Sequence, residues 1–106
     1  MNDIESYDSM LNLVFPSALG DDIADFLLLH PNWCNGFSML EAQGMGQGAT
    51  LTSSMEKVQG KCQRNLIIIV GERKNHVLLV EALSLKIKNR DVVYWIAPLH
   101  SFGSLA

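Results

Sequence analysis

The chain has 106 residues, 48 % hydrophobic and 18 % charged, a length that fits one domain and leaves no room for two and a balance that suits a packed globule rather than a disordered chain. Its net charge is −3, with the acids leaning toward the N-terminal third and all eight Lys and Arg from Lys57 onward, but no basic run marks a nucleic-acid footprint. The N-terminus is acidic and no apolar run is long enough to span a bilayer, so a cytoplasmic protein without membrane insertion is expected.

Met1 to Tyr7 is polar and is expected to be flexible. Ser9 to Phe15 reads as a first strand closed by Pro16. Ser17 offers a cap for a helix over Ala18 to His30, where Leu19, Ile23, Phe26 and Leu27 recur at helical spacing and Pro31 stops the pattern. Asp21, Asp22 and Asp25 face water and suit the positive end of that helix. After a loop over 31–36, Phe37 to Gln43 is a second strand. Gly44, Gly46 and Gly48 then break the pattern, and Gln47 to Gly60 is polar and aperiodic. Residues 47–60 are therefore expected to form a long mobile loop of the kind that carries function.

Cys62 to Val70 forms a third strand around Leu66-Ile67-Ile68-Ile69-Val70, ended by Gly71. A second helix is predicted from Lys74 to Lys88, with Leu79, Val80, Leu83 and Ile87 sharing a face and Asn89 as its C-cap. Val92 to Ala97 is a fourth strand before Pro98, and Leu99 to Ala106 is a short tail. The order β-α-β-β-α-β predicts one α+β domain over 1–106: a ferredoxin-like, four-stranded antiparallel sheet with two helices on one face.

A sheet covered on one face should alternate apolar with polar residues. These strands do not. Leu66, Ile68 and Val70 alternate with Ile67 and Ile69, and Val92, Tyr94 and Ile96 with Val93, Trp95 and Ala97. Leu11, Leu13 and Phe15 oppose Met10 and Val14, with Asn12 as the polar exception. A second apolar face of this extent points to association, so a homo-oligomer is expected, the alternative being a monomer whose tail or long loop covers the face.

Few residues point to chemistry. Gly44-Met45-Gly46 lets a backbone approach an anion or an adenine-like ligand, or simply turns the chain. Lys61 and Arg64 supply positive charge, Arg64 as a bidentate fork for carboxylate or phosphate, or else stand as solvated bases. Cys34 and Cys62 match no zinc spacing and read as reduced thiols. Met39, Met45, Met55, His76 and His100 are further soft or borderline ligands, but none of these groups has local ligand spacing and no metal site is assigned. Met39 and Cys62 read as core filling, and Trp95 as filling the core or an interface. No nucleophile–base pair is visible, and Ser53 and Ser54 have no nearby His, so an enzyme is not expected.

Four stretches resemble the PII signalling proteins. Gly36 to Gln47 is similar to the PII second strand, G-[MF]-T-x-x-x-x-x-G-[FY]-G-[RQ]. Leu13 to Leu27 resembles its first strand and helix, Cys62 to Val70 its third strand, and Ile96-Ala97-Pro98 the V-S-P that closes its fourth. The chain is closer still to a short PII-like family of unassigned function, often encoded beside heavy-metal efflux pumps. Glu56-Lys57-Val58-Gln59-Gly60-Lys61 with Arg64 resembles that family's E-x-V-x-G-[RK]-x-x-R, and Tyr94-Trp95-Ile96-Ala97-Pro98 its Y-W-[VI]-x-P ending.

The resemblance implies a trimer, ligand clefts between subunits, and a loop over 47–60 corresponding to the PII T-loop that signals to a partner. The cleft residues it implies are Gly44, Met45, Gly46, Gln47, Lys61 and Arg64. The efflux association points to a membrane transporter or efflux protein as partner. An alternative is a copper or other soft-metal accessory protein, similar in shape to CutA. Two PII features have no counterpart. The Gly-rich loop before the fourth strand is Lys88-Asn89-Arg90-Asp91, and the Arg-rich C-terminal segment is Ser101 to Ala106. Residues 47–60 also contain no Tyr for modification. The ligand thus stays open: a nucleotide, another anion, or a metal.

Overall fold

In the computed structural model, residues 6–45 and 61–106 are described. The expected flexible start therefore lies mostly outside the described residues, and the loop 47–60 lies wholly outside them. The strands are β1 (Ser9–Pro16), β2 (Ser38–Met45), β3 (Lys61–Gly71) and β4 (Val93–Pro98), and the helices are α1 (Gly20–Leu28) and α2 (Arg73–Lys86). The sheet runs β2-β3-β1-β4 with every neighbour antiparallel, which is the predicted α+β, ferredoxin-like order.

Register separates the two faces, because residues directly opposite each other point the same way. Leu11 pairs with Ile69 and Ile96, and Leu13 with Ile67 and Tyr94. This set faces the helices. Leu11, Leu13, Phe15, Ile67 and Ile69 are buried there against Ile23, Phe26 and Leu27 of α1 and Leu79 and Leu83 of α2. Those helix positions fall at i, i+3, i+4 in α1 and i, i+4 in α2, which turns them toward the sheet.

Several boundaries differ from expectation for local reasons. A 3-10 turn, Ser17–Leu19, precedes α1, and Ser17 caps nothing: its hydroxyl donates to Asn65 Oδ1 across the sheet at 3.4 Å. Helix α1 stops at Leu28, short of the predicted His30. The residue before a proline resists helical geometry, and His30 precedes Pro31. The His30 ring folds back instead, donating Nδ1–H to the Phe26 carbonyl at 2.8 Å and stacking on Trp33. Asn89 is not a helix cap either, since α2 ends with Ile87 in an extended conformation. Met39, expected in the core, is 41 % exposed and its sulfur accepts from Asn65 Nδ2. Trp95 is 47 % exposed, so it does not fill the core of the single chain.

One buried polar pair ties the first strand to the second helix. The Ser9 hydroxyl and His76 Nδ1 share a 2.7 Å hydrogen bond, and both residues are essentially inaccessible. His76 Nε2 lies under Gly71, where an added Cβ would approach to 3.1 Å, so only glycine fits there without displacing the ring. Nε2 has no partner among the described residues. Burial lowers the His76 pKa below its ordinary 6.5, partly opposed by the Asp8 carboxylate.

A lowered basic pKa means that the unfolded chain takes up the proton first. Stability from this site is complete above the ordinary value of 6.5 and is lost as pH falls below it. Urea unfolding between pH 8 and 5 should show stability falling on the acid side, with a shallower fall in His76→Asn. Equal slopes in the two proteins would contradict this assignment.

Candidate functional site

The β2–β3 hairpin gathers the described site candidates. Met45 stands opposite Lys61, Gly44 opposite Cys62, and Ala42 opposite Arg64. Strand β1 reaches β3 only as far as Pro16 opposite Arg64, so residues 61–63 and their partners 43–45 overhang the sheet. The candidates Gly46 and Gln47 lie outside the described residues.

Arg64 sits where the overhang begins. It is only 9 % exposed, and its Nη1 donates to the Asp91 carbonyl at 3.4 Å. It is therefore not the freely solvated base that the alternative reading of the sequence describes. It links β3 to the loop before β4. That loop is built without glycine: the Asp91 N–H donates to Asn89 Oδ1 at 2.8 Å and Val92 N–H to the Asn89 carbonyl at 3.1 Å. An asparagine side chain closing a turn on its own backbone explains why Asn89 serves here rather than on the helix. A guanidinium has five N–H donors in a planar fork, so holding one carbonyl leaves chemistry for an anion.

Under the same loop lies a cavity of about 250 Å³, lined by Leu13, Val80, Leu83, Ile87, Val92 and Tyr94. Lys88 and Asn89 also line it. The sequence reading missed this cavity and the Asp91 carbonyl. The cavity opens between the last turn of α2 and Tyr94 of the edge strand β4.

The other face of the sheet carries the expected second apolar surface. Met10, Val14, Leu66, Ile68, Val70 and Ala97 are half-buried on it, and Leu40, Val93 and Trp95 are 47 %, 51 % and 47 % exposed. The tail is held near one end, with Leu99 N–H donating to the Asp8 carbonyl and Phe102 against Tyr7. Phe102 borders the Ile68–Val70 end of the face.

Of the metal candidates, His76 is engaged with Ser9, and the Cys34 thiol is buried and donates to the Gly36 carbonyl at 3.6 Å. Burial raises the Cys34 pKa, against the lowering effect of that hydrogen bond. Among the described residues no group of three His, Cys, Asp or Glu comes together. No described helix is long and apolar enough to cross a membrane.

A family model described as a protein of unknown function, DUF3240, matches residues 5–106. The chain belongs to the DUF3240 family. A crystal structure of a DUF3240 family protein from Shewanella baltica OS155 is similar over the whole of both chains, with TM-score 0.72 and 23 % identity. CPII, a nitrogen regulatory PII-like protein from Thiomonas intermedia K12 solved with ADP, AMP and bicarbonate, matches 88 % of this chain and 90 % of its own, with TM-score 0.65 and 13 % identity. The same protein solved with ADP, AMP and acetate matches equally well, at TM-score 0.65 and 13 % identity over 88 % of this chain and 86 % of its own. No curated protein sequence matches. At these identities the likeness establishes the fold. The PII-like ferredoxin fold read from the strand order is the fold of this DUF3240 chain.

Proposed function

We propose that this DUF3240 chain is a cytoplasmic regulatory module, not an enzyme, that assembles with copies of itself, three in the reading favoured here. It takes a small anionic ligand, with an adenine nucleotide foremost, where subunits meet. The observation that carries this reading is the uncovered apolar sheet face beside an overhanging hairpin. Several side chains of that size, each worth about 1.5–3 kcal/mol on full burial, favour association. Association would bring the overhang against a neighbouring subunit. The ADP and AMP bound to CPII, on the same fold, support the ligand class. Gly44, Met45 and Lys61 of the overhang would approach the ligand, joined by Gly46 and Gln47 as the family resemblance implies, and Arg64 would supply a fork beside the 88–91 loop. Ligand binding then biases the segment 47–60 that engages a partner, for which the family resemblance points to a membrane transporter.

Calorimetry with AMP, ADP, ATP and bicarbonate, paired with limited proteolysis within 47–60, tests this. Saturable binding by at least one of them should slow cleavage, and Lys61→Ala with Arg64→Gln should weaken that binding at least tenfold. Absence of saturable heat, with unchanged cleavage across the panel, would overturn it. Saturable copper binding with no response to the anions would replace it with a metal-accessory role.

A further inference from the structure

The helix side of the sheet is left unfilled at its β4 edge. Leu13 of β1, Val80 and Leu83 of α2, and Ile87, Val92 and Tyr94 beyond it wall the cavity of about 250 Å³ beside the 88–91 loop. Leu13 and Leu83 are buried, Val80, Ile87 and Val92 are half-buried, and Tyr94 is exposed. Packed interiors hold few voids larger than a water molecule, because an apolar wall that faces a gap forfeits its contacts. An apolar cavity of roughly 150 Å³ takes benzene, so this one has room for a single ring or a short aliphatic chain.

The polar end of the lining favours an anion. Lys88 is the one charged residue on it, and Lys88 makes no ion pair among the described residues. Its ammonium carries three donors and no acceptor. Asn89 accepts the Asp91 N–H on its Oδ1 at 2.8 Å, which leaves Nδ2 as its donor group. The Ser84 hydroxyl commits its proton to the Glu81 carbonyl at 2.7 Å. No Asp or Glu belongs to the lining, although Asp91 follows in the same loop.

We propose that this cavity binds a small amphipathic carboxylate: a single ring or short aliphatic chain bearing one carboxyl group. The apolar part lies against Leu13, Val80, Leu83 and Val92, and the carboxylate accepts from Lys88 and Asn89. Displacing poorly held water from apolar walls favours the first contact, and charge assistance strengthens the second. A neutral ligand of the same shape forgoes the charge-assisted bond, and a cation meets like charge at Lys88. The cavity lies within one chain, on the helix side of the sheet, so it goes beyond the anion site proposed at the overhang and does not depend on assembly. The two adjoin only at the 88–91 loop, which Arg64 holds through the Asp91 carbonyl.

Methyl spectra of the Leu, Ile and Val residues in the full chain, titrated with hexanoate, phenylacetate and indole-3-acetate, test the proposal. At least one acid should give saturable shifts, largest at Leu13, Val80, Leu83, Ile87 and Val92. Its neutral amide should bind at least about threefold more weakly, as should the acid itself to Lys88→Glu. Val80→Phe, which fills the cavity, should abolish the shifts. Lys88 is exposed, so its variant serves if Val80→Phe fails to fold. Absence of saturable shifts with all three acids, or shifts centred on the other face of the sheet, would overturn the site. Equal binding of acid and amide, or of one acid to wild type and Lys88→Glu, would overturn the carboxylate assignment. Neither result touches the nucleotide titrations or the native mass, so this site and the overhang site fail separately.

Discussion

Ile68→Asp is expected to leave the domain folded and to reduce its native mass to that of one 11.8 kDa chain. Ile68 points away from the helices, opposite Asn12 on β1 and Ser38 on β2, and is half-buried in the single chain. A carboxylate there stays hydrated in the monomer. In an assembled seam every copy would place an unpaired charge in an apolar contact, at several kcal/mol per ion. That exceeds what any one aliphatic contact returns. Light scattering with circular dichroism reads both halves of the expectation. An unchanged multimeric mass would mean that the seam lies elsewhere.

Phe15→Ala should have the largest effect on stability, a loss of about 3–5 kcal/mol in urea unfolding. Phe15 is fully buried at the end of β1, and its ring lies 3.9 Å from where a Cβ on Gly20, the first residue of α1, would sit. The site has strand and helix backbone on its two sides and little freedom to collapse. Domains of this size have only about 5–15 kcal/mol in total, so the loss is a large fraction of the whole. Leu85→Ala, at a position 76 % exposed, should change stability by no more than about 0.5 kcal/mol. A Phe15→Ala loss near that of Leu85→Ala would contradict the placement of the core.

The strand order was legible because β-branched and aromatic runs, broken by Pro16, Gly71 and Pro98, separate cleanly from the 3.6-residue pattern of the helices. The second apolar face was legible for the same reason: Leu66, Ile68 and Val70 have no polar alternation to mask them. What local reading could not supply were pairings between distant residues. Ser9 and His76 are 67 positions apart, and nothing in either neighbourhood announces their hydrogen bond. Arg64 reads as a loose base until the Asp91 carbonyl is seen beside it. Asn89 has the residue type of a helix cap and of a turn, and the turn prevailed because α2 had already ended with an extended Ile87. Asn12 was visible as an exception, but its lack of a partner appears only once Ile68 and Trp95 are in register beside it.

Light scattering on the wild-type chain across a hundredfold range of concentration speaks most directly to the incomplete sheet. The proposed three-subunit assembly, which would hide Leu66, Ile68, Val70 and Trp95 against like surfaces, predicts a constant mass of about three chains of 11.8 kDa each. A mass of one chain throughout, with the same face reached by solvent, would contradict the account.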